Sequence, residues 1–222
     1  MSVLSPSQSG STLWLPFSEG TGTTVYDYSG NAFNGTITGA NWVKLEDGSY
    51  ALDFNGTSDY VVVTRDADQD LATWTLGCWA KPNTMSATAG IFTKNWDGSN
   101  LPFNLEWNNT GQNLSAGFYS SSTANYATWT DSGWDSDSEW TFIVATYDGT
   151  DVKIYVNTVL EDTHTATTTL AYNTKEIGIG ARTDWNGSTS NYFNGLIRFP
   201  FLISGAKDQA WIDKFYQDTY IN

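Results

Sequence analysis

The chain is poor in several residues that carry chemistry. In 222 residues it has one cysteine, one histidine, two methionines and five prolines. A lone cysteine, Cys78, excludes an internal disulfide and a CxxC metal knuckle. Set between Gly77 and Trp79 in an apolar run, it reads as a small buried hydrophobe. A lone histidine, His164, is too few for a His-based zinc site. No G-x-S-x-G elbow accompanies it, as an α/β-hydrolase triad would require, so it reads as a surface residue in a polar stretch. Bases are scarce too: ten Lys and Arg against 24 Asp and Glu give a net charge of −14. Such a chain repels phosphate backbones, so a nucleic-acid partner is not expected. No apolar run approaches the ~20 residues of a membrane-spanning helix, so membrane insertion is not expected either. The opening Met1-Ser2-Val3-Leu4-Ser5-Pro6 shows no charged region followed by an apolar one, so no signal peptide is visible.

What is abundant is aromatic: 11 Trp, 12 Tyr and 11 Phe, within 40% hydrophobic residues overall. That is ample for a large core and excludes a disordered chain. Short runs of Thr, Val, Ile and aromatics alternate with clusters of Gly, Asn, Asp and Ser. The runs predict strands over 13–17, 50–54, 60–64, 73–80, 90–94, 103–107, 113–119, 125–129, 140–147, 152–157, 176–181 and 192–203. Strands at this spacing predict an all-β, two-sheet antiparallel sandwich of jelly-roll type. Without a Pro-rich linker, a charge block or a repeat, residues 1–222 read as one domain with its core over about 13–216. Residues 140–147 carry apolar side chains on both faces, as a central strand does, and Asp148-Gly149-Thr150-Asp151 turns it into a half-exposed partner strand. One short C-terminal helix is predicted over 204–216, with Trp211, Ile212, Phe215 and Tyr216 on one stripe and a start softly marked by Ser204 and an early acid, Asp208, capping a sheet edge.

Seven blocks then stand in order. They are Leu13-Trp14-Leu15-Pro16-Phe17-Ser18-Glu19-Gly20-Thr21-Gly22, Asp27-Tyr28-Ser29-Gly30-Asn31, Tyr50-Ala51-Leu52-Asp53-Phe54-Asn55-Gly56, Trp74-Thr75-Leu76-Gly77-Cys78-Trp79, Trp140-Thr141-Phe142-Ile143-Val144, Val152-Lys153-Ile154-Tyr155-Val156-Asn157 and Phe193-Asn194-Gly195-Leu196-Ile197. Their order and spacing resemble laminin-G-like domains of the concanavalin-A-like lectin/glucanase superfamily. The resemblance implies a concanavalin A-like jelly roll of two curved sheets. It leaves function open, since this fold carries lectins, adhesins, hydrolases and spacers. Two departures follow. The resemblance implies Asn-Gly after the Tyr-Val strand, where this chain has Asn157-Thr158. A β-branched residue resists positive φ, so a type I′ turn is not expected there. It also implies Asp after Gly-x-Ile, holding a structural calcium with carbonyls that correspond to Glu19-Gly20 and Ser29-Gly30-Asn31; here Arg198 stands instead. A guanidinium expels a cation and brings five donors. Arg198 is expected either to serve those carbonyls, pairing with Asp27, or to point to solvent.

A retaining glycosidase needs two carboxylates about 5–5.5 Å apart. The Glu-x-Asp-x-x-Glu pattern of the glucanases is absent, and the central 103–108 segment has Glu106 alone. The acidic runs 66–70 and 135–139 read as solvated turns; the first fails as an EF-hand because Leu71 and Gly77 stand where Gly and Glu are needed. No cofactor is expected, with a calcium ion loosely bound in these loops as the alternative. Sugar binding calls for aromatic faces and planar polar groups. Trp96, Trp134 and Trp185 lie in loops among Asp, Asn and Gly and are expected to be exposed. Alternation in 103–108 and 113–119 puts Asn104, Glu106 and Tyr119 on an outward row. These six are the candidate carbohydrate-binding residues; no catalytic or metal residue is assigned. The resemblance, taken with these residues, implies a non-catalytic recognition or adhesion module, lectin-like, at an extracellular or virion surface, whose partners are glycans or another surface or virion protein. The alternatives are a virion accessory or cell-surface structural protein without a sugar ligand and, more remotely, a divergent glycoside hydrolase.

Overall fold

The computed structural model describes residues 11–83, 86–130, 133–134, 139–183 and 188–220. Two antiparallel sheets face each other. The first holds β1 (Ser11–Trp14), β4 (Asn41–Lys44), β5 (Tyr50–Asn55), β7 (Trp74–Pro82), β12 (Thr141–Tyr147), β13 (Asp151–Val156), β14 (Val159–Thr165) and β18 (Asn194–Ser204). Its order is β14-β13-β12-β7-β18-β5-β4, with β1 also paired to β18. The second holds β2 (Thr24–Val25), β3 (Gly35–Thr38), β6 (Tyr60–Val63), β8 (Ala89–Lys94), β9 (Leu101–Asn108), β10 (Asn113–Ser120), β11 (Thr123–Thr130) and β15 (Ile177–Ile179). Its order is β11-β10-β9-β8-β15-β6-β3-β2. A small ribbon of β16 (Arg182–Thr183) and β17 (Thr189–Ser190) stands apart. The all-β sandwich predicted from the residue pattern is the fold observed.

Every second residue of the facing strands enters the space between the sheets. Trp74, Leu76 and Cys78 of β7, with Ile143 and Ala145 of β12, meet Phe103, Leu105 and Trp107 of β9 and Leu114, Ala116 and Phe118 of β10 in one cluster. The doubly apolar β12 is explained by a second cluster on the other side of its sheet. Phe142 and Val144 join Trp14, Trp79, Phe201 and Ile203 there, beneath Ile212 and Phe215 of the helix α1 (Gln209–Thr219). The helix thus covers a sheet face rather than an edge. It starts at Asp208, whose side chain accepts from the Trp211 N–H, while Ser204 is still paired with Trp74 in the sheet.

Two further expectations are corrected. Asn157 and Thr158 both have positive φ, 45° and 73°, so the β13–β14 connection is the two-residue loop of type I′ sense. Asn157 exchanges two hydrogen bonds with the Phe142 backbone, at 2.9 and 3.0 Å, and the strand twist demands this sign of φ whatever residue follows. Arg198 neither meets Asp27 nor reaches solvent. It is 3% exposed and lies 4.1 Å from the Phe199 ring centroid, 3.7 Å from Asp47 and 3.4 Å from the Thr219 carbonyl. A bulge between Arg198 and Phe201 turns β18 so that this side chain passes under the C-terminal end of α1. Asp27 is instead filled by the Trp14, Ser29 and Phe33 N–H groups, each at 2.9 Å, and by the Ser29 hydroxyl at 2.7 Å.

The acidic run 66–70 forms a single 3-10 turn capped by Asp66, and Asp70 pairs with Arg65 at 2.7 Å. The run at 135–139 lies, but for Glu139, outside the described residues. Gln69 of the turn accepts at 2.7 Å from Lys94, which is fully buried. Burial pushes the Lys94 ammonium down to about 8, against the pull of Asp70. A folded-state pKa below the unfolded one means that the unfolded chain holds more protons between those values, so stability rises with pH through that window. Between pH 7 and 9.5 the unfolding free energy should therefore rise by about 1–2 kcal/mol from this group. Urea titrations of the wild type and Lys94→Met check it: the stability of the wild type relative to the variant is expected to rise by that amount across the window, over the opposing fall that the buried Cys78 thiol gives both.

Candidate functional site

On the outer face of the second sheet the strands β9, β10 and β11 lie in simple register. Asn104 stands opposite Gly117, and Gly117 opposite Tyr126; Glu106 stands opposite Ser115, and Ser115 opposite Thr128. Paired residues share a face, so Asn104, Glu106 and Tyr126 all point away from the core. The face is nevertheless covered. Glycines leave the room: a Cβ at Gly117 would strike the Asn125 carbonyl and the Tyr126 ring, and one at Gly90 would press on the backbone of Ala181 and Arg182 at 3.0 Å. Tyr126 and β16 therefore lie down on the sheet where a side chain would have held them off.

The result is a cleft of about 300 Å³ lined by Trp96, Leu101, Tyr119, Ala124, Tyr126 and Arg182. Trp96 and Tyr119 stand edge to face, 6.4 Å apart and at 86°. Trp96 is set by its loop: its N–H donates to the Thr183 carbonyl at 3.1 Å, and the preceding Asn95 amide oxygen accepts from the Thr183 N–H at 2.9 Å. Asn173 holds both ends of that loop, donating to the carbonyls of Asn95 and Asn100 at 2.8 and 2.9 Å. Leu101 reaches the cleft because a register shift between β9 and β10 breaks the alternation that sends Phe103, Leu105 and Trp107 inward.

The floor is polar. Arg182 Nη1 lies 3.1 Å from Glu106 Oε2, and both side chains are largely buried. Burial raises the Glu106 carboxyl above its ordinary range, with Arg182 pulling it back. Burial likewise raises the Tyr126 phenol, and the Glu106 charge adds to it. Asn104 is 0% exposed. It lies beside Glu106 and Tyr126 and lowers both pKa values, yet neither its Oδ1 nor its Nδ2 closes a well-formed hydrogen bond.

Four of the six expected residues thus come together: Trp96, Asn104, Glu106 and Tyr119. The expectation of free exposure is corrected for them. Trp96 and Tyr119 are half-buried, and Asn104 and Glu106 form a covered floor. Trp134 is corrected outright. It is 1% exposed, packs 5.6 Å from Trp107, and gives its indole N–H to Thr141 at 2.9 Å. A paired N–H lets the whole ring enter the core despite its polar flanks. Trp185 lies outside the described residues. Arg182 and Tyr126 were not legible as site residues, because nothing in their local pattern announces the pairing partner across the sheet. Leu101 was hidden by the register shift.

A family model described as the concanavalin A-like lectin/glucanases superfamily, of laminin-G type, matches residues 55–213. The chain belongs to this superfamily. No curated protein matches its sequence. Among solved structures, this superfamily member is similar to the binding domain of botulinum neurotoxin DC in complex with rat synaptotagmin II, at 14% identity and a TM-score of 0.73, over 97% of this chain and 53% of that one. It is equally similar, at 14% identity, a TM-score of 0.73 and the same coverage of 97% and 53%, to a structure of botulinum neurotoxin type C, whose passage into cells depends on interaction with two ganglioside molecules. The binding domain of Paraclostridial Mosquitocidal Protein 1 follows at 15% identity and a TM-score of 0.71, over 94% and 52%. The chain spans about half the length of these structures. At such identities the likeness is one of fold.

Within this superfamily member the glycine floor is open to test. Gly117→Ala should cost at least about 1 kcal/mol in urea unfolding, through overpacking at a backbone φ of 154°. A variant as stable as the wild type would show that Tyr126 does not rest against the sheet at this point.

Proposed function

We propose that the chain is a non-catalytic recognition module that binds carbohydrate in the cleft on its second sheet, displayed at an extracellular or virion surface. The observation that carries this is the edge-to-face pair Trp96 and Tyr119 in a cleft that Arg182 also lines, with Glu106 and Asn104 covered just beneath it. Aromatic faces stack on the apolar face of a pyranose, and a guanidinium such as that of Arg182 hydrogen-bonds its hydroxyls. Concave apolar clefts with a few convergent polar groups are the usual form of small-ligand sites. The binding domains of similar fold, one in complex with synaptotagmin and one from a toxin dependent on gangliosides, support a receptor- or glycan-directed role.

Glycosidase chemistry is disfavoured on geometric grounds. Among the described residues of the cleft and its floor, Glu106 is the lone carboxylate, and it is held by Arg182. The two-carboxylate arrangement of that chemistry is not assembled there. Purified protein is expected to release no reducing ends from β-glucans. Release that disappears in Glu106→Gln would make the chain an enzyme and defeat the proposal.

The binding itself is tested on a broad glycan array. Positive signals should fall at least tenfold in Trp96→Ala and in Tyr119→Ala, with thermal unfolding of both variants close to the wild type because both rings are half exposed. Silence across the array would favour a structural protein of a virion or cell surface without a sugar ligand.

A further inference from the structure

We infer that the cleft is built for the neutral, hydroxyl-bearing face of a terminal sugar and discriminates against sialylated, sulfated or otherwise anionic glycans. This rests on the carbohydrate reading of the same cleft and adds the class of sugar it takes.

Three features point this way. The first is charge. Arg182 is the lone cation among the described lining residues, and it is already committed to Glu106 at 3.1 Å. An anionic sugar would have to compete with a buried, fixed carboxylate for that guanidinium, and would stand close to the carboxylate's own charge. Like charges brought together out of water repel strongly. The chain's net charge of −14 sets a repulsive field for anionic ligands before they arrive.

The second feature is the hydrogen-bonding need of Asn104. Its side chain is 0% exposed, and its donor and its acceptor close no well-formed bond among the described residues, although Glu106 and Tyr126 stand beside it. Buried polar groups are nearly always satisfied, so such a residue marks a place where something else completes the bonds. A carboxylate or sulfate oxygen only accepts, so it serves Nδ2 and leaves Oδ1 unmet. A hydroxyl both donates and accepts. Two neighbouring hydroxyls on a sugar ring satisfy both ends of one carboxamide at once. Tyr126, lying across Gly117 against Asn104, is the side chain that must yield for the ring to reach it.

The third feature is shape. The walls are Trp96, Tyr119, Tyr126 and Leu101, and about 300 Å³ is at the lower end of small-ligand pockets. That suits one or two rings at a chain terminus, seated by their C–H faces. A charged cap would have to be desolvated against these walls without a free cation to compensate it.

The test uses immobilised neutral oligosaccharides and the same oligosaccharides capped with sialic acid or sulfate, titrated with the whole chain at fixed ionic strength. Wild type is expected to bind the neutral forms at least tenfold more tightly than the capped ones, with all binding lost in Trp96→Ala. Glu106→Gln removes the carboxylate charge and releases Arg182, so it should improve binding of the capped forms several-fold and narrow the ratio. Preference of the wild type for capped glycans, lost in Trp96→Ala, overturns the inference and leaves the carbohydrate reading standing. An unchanged ratio in a folded Glu106→Gln overturns it as well. Binding to no member of the panel removes the carbohydrate reading and the inference together. The wild-type ratio decides the matter alone if Glu106→Gln fails to fold.

Discussion

Everything in this molecule depends on the burial of apolar side chains between two sheets whose strands alternate strictly. Phe103, Leu105 and Trp107 meet Leu76, Cys78 and Ile143 across that space. Removing such surface from water is the main stabilising contribution, at about 25 cal/mol per Å². The same alternation fixes what lies on the outer faces, because no residue of an unbulged strand can change sides. The outer face of the first sheet is apolar, with Trp79, Phe142 and Phe201, and needs a cover, which α1 supplies. That of the second sheet is polar and glycine-spotted, and it becomes the cleft.

The two sheets therefore solve opposite problems. On the first, one charge enters an aromatic cluster. Arg198 is accommodated by the Phe199 ring, Asp47 and a helix carbonyl, and burial lowers its pKa to about 10 without discharging it at neutral pH. On the second, Glu106 and Arg182 neutralise each other under Tyr126. A buried ion pair contributes little net stability but fixes geometry when both partners are held. Here it fixes where the walls of the cleft stand relative to its floor. Another buried cation, Lys94, donates to the neutral Gln69, and its burial lowers its pKa.

Several misread elements share one cause. Ser204 looks like a helix start locally, but its pairing with Trp74 extends β18 and shifts the start to Asp208. Asn157-Thr158 looks unfit for left-handed backbone, but the twist of β13 and β14 and the Asn157 bonds to Phe142 impose it. The edge strands β4 and β14 were not among the predicted runs, since their polar residues give weak alternation and only pairing defines them. In each case a long-range contact outweighed a local preference of a few tenths of a kcal/mol to about 1 kcal/mol.

By itself the sequence determined the class of the fold, the central strands, the β12–β13 hairpin and the outward direction of Asn104, Glu106 and Tyr119. These follow from periodicity and turn chemistry, which are local. Tertiary structure alone decided what covers those outward residues. Tyr126, Arg182 and Leu101 arrive from strands distant in sequence or through a register shift, and Trp134 leaves the surface because Thr141 waits for its N–H. A side chain's direction is a property of its own strand, but its exposure belongs to whatever packs above it, and that is set by contacts the local pattern does not encode.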